Sequence, residues 1–436
     1  MTSPAVPNDP YQSLRFPEYR AFLGGAFALF VGTQIQTVAI GWQVYALTGD
    51  PLSLGLVGLS EALPFLALTL LGGQAADRMD RRTLSLLSAL PILAGGLWLL
   101  MANLGGPPSQ VWVFYGAQVL AGIGRAFHRP AAQALGSELV PREAYANAAT
   151  WRSAMFHAAM VAGPALGGLL VAVQARVAYG VEAALMLAGL LSLARLQPRP
   201  RPQPTETRPA LHGLFEGVRF VFREKVVLGA LSLDLFAVLF GGAPALLPIF
   251  ARDFLRVGEL GFGLLRAAPA AGSILISLVL AHRPPLRKAG RTLLLCVAGF
   301  GLCWIAFAFS RSFLLSMVLL AASGAFDNVS VVLRATLVQT FTPQELMGRV
   351  SAVNSFFIGS SNELGAFESG LAARAMGTVP SVVFGGLMTL AVVGLTWWRA
   401  PKLREYDFQG AKGSAADFEE ETPLDGHLTK EKPTSD

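Results

Sequence analysis

The sequence predicts an all-helical integral membrane protein with twelve spanning helices in two pseudo-symmetric six-helix bundles. Three observations carry that prediction. Of 436 residues, 53% are hydrophobic and only 14% charged, with a mean hydropathy of +0.51; a soluble domain averages about 25% charged. The apolar residues gather in stretches of about twenty, the length a helix needs to cross a hydrocarbon core of about 30 Å. The third is a proline-rich interruption, "QPRPRPQPTETRP" at 197–209, which divides these stretches six and six.

Taken in order, residues 1–20 form a short polar segment and the first span runs over 21–47. It starts too deep in the chain, runs too long, and lacks the small-residue site of a cleavable signal peptide. Spans follow at 52–75, 83–104, 110–136, 149–173 and 177–196, completing an N-terminal bundle over 21–196. The linker, 197–225, begins with the proline spacer, an extended semi-rigid stretch. It continues as "ALHGLFEGVRFVFREK", where Leu211, Leu214, Phe215, Val218 and Phe222 recur at helical spacing beside Arg219, Arg223 and Lys225. That pattern predicts an amphipathic helix lying on the membrane face. The C-terminal bundle, 226–399, holds spans at 226–251, 261–282, 292–310, 312–336, 350–374 and 379–399. The tail, 400–436, is polar and charged, with the composition of a disordered segment.

An even number of spans puts both ends on one side. Lys and Arg crowd the loops on that side, among them Arg78, Arg81, Arg82, Arg219, Arg223, Lys225, Arg283, Arg287, Lys288 and Arg291. The other side has Arg176, Arg252, Arg256, Arg311 and Arg374. The positive-inside rule therefore places both termini in the cytoplasm. The same distribution explains the net charge of +6 without nucleic acid, because no single polar domain collects the basic residues. Cys296 and Cys303 share one span, so no disulfide framework exists. There is no metal-ligand cluster, Gly-rich phosphate loop or Ser-His-Asp order to suggest an enzyme.

The halves repeat weakly. At a constant offset of 202 residues, Gly122 matches Gly324, Pro141 matches Pro343, Glu143 matches Glu345, Gly163 matches Gly365 and Gly168 matches Gly370. Parallel six-span halves organise one large class of transporters. By the same offset Arg125 corresponds to Asp327, which predicts that the two face each other across the pseudo-two-fold axis and pair in one access state.

Residues 72–82 read "GGQAADRMDRR". Gly73, Asp77, Arg78, Asp80, Arg81 and Arg82 resemble the loop between spans two and three that marks the major facilitator superfamily, with Asp80 in place of the usual glycine. The resemblance implies a twelve-span transporter whose loop latches the two halves together on the cytoplasmic side. Residue spacing adds that Asp77 and Arg81, four apart, can pair if the turn stays helical. "MVAGPALGGLL", with Gly163, Pro164, Gly167 and Gly168, resembles the span-five motif of antiporters in that superfamily. "GTQIQTVAIGWQVYALTGDP", "VPREAYANA", "TPQELMGRVSAVN" and "SSNELGAFESG" are similar to its drug and siderophore exporter branch, which includes enterobactin and macrolide exporters. Many proton-coupled members carry an arginine in span four, four residues before a glycine; here Gln118 stands before Gly122.

Ionisable residues within spans are costly and mark function. Here they are Glu61, Arg125, His128, Arg129, Arg152, His157, Glu182, Asp234, Arg266, Asp327, Arg334, Glu363 and Glu368. Arg129, Arg152 and Arg334 lie close enough to span ends to snorkel; Glu182 and Glu368 read as lying near the outer surface. The resemblance implies that spans one, four, seven and ten line the cavity. That selects Gln34, Gln36, Trp42, Gln43 and Arg125 for substrate, and Asp234 and Asp327 for protons, with Glu61 and Glu363 in reserve. The resulting expectation is a monomeric, proton-driven exporter of amphipathic small molecules in the bacterial inner membrane. It would use no cofactor beyond the proton gradient. The alternatives are an uptake carrier or lipid flippase, and more remotely a membrane-bound enzyme.

Overall fold

The structure is a computed structural model and describes residues 9–198, 210–241, 243–282 and 288–407. The expected spacer at 199–209, the loop residues Arg283 and Arg287, and the tail beyond 407 lie outside the described residues, as do the side chains of Leu211, Leu214 and Phe215. No strand occurs among the described residues. The first half comprises α1 (Pro17–Thr48), α2 (Pro51–Arg78), α3 (Arg81–Ala102), α4 (Trp112–Glu138), α5 (Tyr145–Val173) and α6 (Ala175–Ala194). After α7 (Ala210–Arg223) comes α8 (Lys225–Phe240), which continues through α9 (Leu247–Ile249) and a wide helical turn at Phe250–Phe254. The second half closes with α10 (Gly258–Ala281), α11 (Ala289–Phe309), α12 (Phe313–Phe341), α13 (Met347–Met376), α14 (Thr378–Arg399) and the short α15 (Pro401–Arg404).

Short polar caps explain the sharp turns. Asp50 accepts from the Leu52 amide ahead of α2, with Pro51 at the first helical position. Asp80 accepts from the amide and hydroxyl of Thr83 at 2.8 and 2.6 Å and so caps α3. A side-chain oxygen at this position satisfies amides that the first helical turn leaves free, which accounts for an aspartate where the superfamily has glycine.

Among the described residues, ten helical segments are long and apolar enough to cross a membrane. The two expected spans outside that set are α4 and α13. Both have the length, 27 and 30 residues, but they carry Arg125, His128 and Arg129, and Glu363 and Glu368, respectively. The two helices that fall short in apolarity are the two that meet through charge, as described below.

The packing is pseudo-symmetric. In the first half α1 packs on α5 and α6, α2 on α4, and α3 on α4 and α6. In the second half α8 packs on α13 and α14, α10 on α12, and α11 on α12 and α14. The halves meet chiefly through α2 against α13 and α5 against α10, one contact being the two-fold image of the other. The 202-residue repeat holds in space. Gly122 of α4 rests on α2 at Glu61 and Pro64, and Gly324 of α12 rests on α10 at Pro269. Gly163 faces α1, and Gly365 faces α8. Gly168 meets Gly263 of α10, and Gly370 meets Gly55 of α2.

One side of the molecule, the near side, carries residues 9–16 and 401–407. The buried cores are segregated there: one joins Tyr19, Phe22, Leu135 and Leu193 within the first half, and others join Leu233, Leu293, Leu337, Val221 and Val350 within the second. On the far side a single core crosses between halves, with Ile35, Val38, Ile40 and Tyr45 joined to Leu246, Phe250, Phe262 and Trp304. The halves are therefore clamped at the far side and separate in their cores at the near side. The α7 helix does more than lie on a membrane face. Val221 is 1% exposed and packs with Val227, Leu231 and Val350, while Glu216 pairs with Arg349 of α13.

Candidate functional site

Two charged clusters lie deep in the helices. In the first, Arg125, halfway along α4, pairs with Glu61 of α2. Gln118, about two turns before it, donates from Nε2 to the other Glu61 oxygen at 2.9 Å. Arg125 also reaches to 4.0 Å from Glu363 of α13, in the other half. Arg129 leans the same way, since a Cβ on Gly359 would stand 3.9 Å from its Nη1. The charges of Arg125, Arg129 and Arg266 all act on Glu363. In the second cluster, Asp234 of α8 pairs with Arg334 of α12, and both are buried. Asp327 lies within electrostatic reach of both. A recess lined by Asp234, Val238, Phe300, Asp327 and Ser330 opens beside them.

Several sequence expectations meet different surroundings. Arg125 and Asp327 occupy equivalent places, but they do not pair. The halves touch through α2, α5, α10 and α13, so α4 and α12 are held apart in this state; Arg125 pairs with Glu61 on α2, while Asp327 has only the charge of Arg334, on its own helix, within electrostatic reach. Arg334 does not snorkel; it is 4% exposed and serves Asp234. Glu182 does not face solvent. It is fully buried in the first half, against Gly96, and neither of its oxygens has a hydrogen-bond partner among the described residues.

The glutamines divide. Gln43 is buried inside the first half, donating to Asn103 at 2.7 Å and accepting from the Tyr179 hydroxyl at 2.8 Å. Gln36, seven residues earlier on the same face, is 2% exposed. Both turn inward to the bundle because Gly32 brings this face of α1 against α6. Gln34 lies on another face, over Gly163 of α5, with its amide 3.2 Å from the Met160 sulfur. Trp42 stacks on Phe262 of α10, ring centroids 6.1 Å apart, and so belongs to the far-side clamp.

The loop expected to act as a latch makes contacts within its own half. Arg81 pairs with Glu138 of α4 at 2.6 Å instead of with Asp77, because α2 ends at Arg78 and the chain is extended at Met79. Arg82 donates to the Leu193 and Ala194 carbonyls at the end of α6, a favourable site for a cation. Asp77 and Arg78 are exposed. A Cβ on Gly73 would meet nothing within 4 Å. The span-five motif is divided between two neighbours: Gly163 and Gly167 hold α5 on α1, while Gly168 and Pro164 hold it on α10.

Some residues escaped the sequence reading. Gln118 was legible only as a missing arginine, yet it fixes a carboxylate. On the far side, Tyr45 donates to Asp253, Arg252 Nη1 donates to the Tyr45 carbonyl at 3.3 Å, and Arg374 lies 3.5 Å from Asp50. These contacts join distant segments and leave no local pattern.

Comparison with known proteins agrees with this architecture. A family described as transmembrane secretion effector matches residues 9–432. The multidrug efflux pump Tap of Mycobacterium tuberculosis is 30% identical over 395 residues, covering 86% of this chain and 91% of that protein. The enterobactin exporter EntS of Shigella boydii is 29% identical over 404 residues, 88% of this chain and 94% of that one. Among solved structures, a peptide transporter bound to sulfate superposes with a TM-score of 0.72 at 12% identity, covering 89% and 95% of the two chains. A variant of the nucleoside transporter NupG gives 0.70 at 12%, covering 87% and 99%. At that identity the likeness is one of fold.

Proposed function

This chain belongs to the transmembrane secretion effector family of the major facilitator superfamily and is a multi-pass membrane exporter, and from that premise we propose that it drives small amphipathic molecules out of a bacterial cell in exchange for protons. The near side is the cytoplasmic side, as the Lys and Arg distribution requires, so the clamped far side corresponds to an inward-facing arrangement in the inner membrane. The cargo is a drug-like or siderophore-like compound, by analogy with the multidrug pump and the enterobactin exporter.

One observation carries the coupling: Asp234 and Asp327 share a single cation, Arg334. Two carboxylates with one counter-ion in a desolvated place leave one charge unmatched. A proton is the smallest group that restores balance, and the recess beside both residues gives it a place to enter. Its arrival also changes the pull of Arg334 on α8, tying proton load to the packing of α8 and α12.

Purified protein in liposomes with an imposed pH gradient tests this. Asp234→Asn and Asp327→Asn should each reduce gradient-driven export of a dye such as Hoechst 33342 while leaving downhill exchange measurable. If both variants keep full gradient-driven export, the proton travels elsewhere.

A further inference from the structure

The first charged cluster is unbalanced in the opposite sense from the second. Around the contact between halves stand three guanidinium groups, Arg125, Arg129 and Arg266, and two carboxylates, Glu61 and Glu363. Three positive charges against two negative leave one positive charge over. Glu61 is already engaged twice, by Arg125 and by Gln118. Glu363 is reached by the charges of all three arginines. Arg266 carries a buried Nε without a hydrogen-bond partner among the described residues. The side chain of Arg125 is 42% exposed despite its ion pair, and Arg129 is exposed.

The pseudo-two-fold axis explains how both halves contribute. Glu61 stands three residues before Pro64 of α2, and Arg266 three residues before Pro269 of α10. Gly122 and Gly324, partners under the repeat, rest on those two prolines. Glu61 and Arg266 thus stand on matching helices, α2 and α10, each beside a contact with the other half. Arg125 and Arg129 reach from α4 toward α13 of the other half.

We propose that Arg125, Arg129 and Arg266 form the receptor for an anionic group of the transported molecule, with Glu363 as the resident anion it displaces. Guanidinium forks match a carboxylate or phosphate in two hydrogen bonds and are less strongly hydrated than an ammonium group. The receptor therefore selects anionic amphiphiles over cationic ones. Displacement of Glu363 removes the Arg125 contact that ties α4 to α13, so cargo binding loosens the link between halves. An inside-negative potential favours the exit of such an anion. The inference narrows the cargo of the exporter proposed above and rests on that reading, but not on its proton carrier.

Fluorescence anisotropy of carboxyfluorescein, an anionic probe, and ethidium, a cationic one, tests it on the full chain in detergent. Carboxyfluorescein should bind saturably and at least ~10-fold more tightly than ethidium. Arg266→Gln should weaken it by ~10-fold or more, the scale of one charge-assisted hydrogen bond, and Arg266→Lys should retain part of the affinity. Glu363→Gln should strengthen it, a gain that a merely structural role does not give. Tighter binding of ethidium, no saturable binding of carboxyfluorescein, or indifference to both Arg266→Gln and Glu363→Gln overturns the proposal. Export that fails to respond to a pH gradient, with binding as expected, overturns the proton reading and leaves this one standing.

Discussion

Arg334 shows how strongly burial constrains a single residue. It is 4% exposed, and its charge is matched by Asp234, itself 8% exposed. Taking either partner away leaves a desolvated charge with nothing opposite, which costs about 3–5 kcal/mol, whereas replacing both by apolar residues is often nearly neutral. Arg334→Leu and Asp234→Leu should therefore each lower the unfolding temperature of the purified protein, and the double replacement should recover most of the loss. Two additive losses would mean that the residues serve separate partners. At this scale the sequence marks which residues are expensive but not whom they meet. The seven-residue spacing of Gln36 and Gln43 shows that they share a face of α1. Which neighbour takes that face depends on Gly32 and the approach of α6, and it put both amides inside the bundle. Arg125 and Asp327 are equivalent as the offset implied, but in this state Arg125 is held by Glu61 and Arg334 by Asp234.

Among helices, the two crossing points between halves rest on paired glycines. A Cβ at Gly168 would stand 2.6 Å from the Glu259 carbonyl oxygen and 2.9 Å from the Gly263 Cα; at Gly370 it would stand 2.8 Å from the Gly55 Cα. These neighbours are backbone, so they yield only if whole helices part. Packing a side chain into such a contact costs roughly 1–3 kcal/mol, and that cost falls only on the state in which the far side is closed. Gly370→Val should therefore favour the open far side. Leu246, fully buried in the shared core, gives the readout as Leu246→Cys. An impermeant maleimide added from the far side should label it ~10-fold faster or more in the Gly370→Val background, the factor given by a shift of about 1.4 kcal/mol. Unchanged labelling would show that these glycines are packing detail without influence on access. The element scale was the most legible. The apolar stretches became helices, and the three glycine pairs of the repeat fell on equivalent contacts, because length and hydropathy act locally. The interrupted end of the α8 segment at 243–254 was not foreseen, since its apolar run continues to Ala251.

At the scale of the whole molecule, export requires the far-side core to come apart while the near side closes. Two states that interconvert in a working cycle differ by a few kcal/mol, so modest contacts on either side set the balance. On the far side Arg374 lies 3.5 Å from Asp50, with side chains 59% and 33% exposed. Such a pair contributes at most about 1 kcal/mol, but Arg374→Glu turns attraction into repulsion and doubles the change. On the near side Asp77 is exposed, as a latch must be while that side is open, and Asp77→Asn removes a charge that acts only after closure. The two substitutions should thus push the equilibrium in opposite directions. Ser137 and Thr340 are exposed at the near-side ends of α4 and α12, helices that are symmetry partners, so spin labels there report the near-side opening by double electron–electron resonance. Arg374→Glu should raise the population at short distance, Asp77→Asn should raise the population at long distance, and the double variant should fall between them. A shift of the same sign in both single variants would break the idea that the loop latches the closed near side, because one contact belongs to each end of the molecule and only a rocking motion makes their effects oppose.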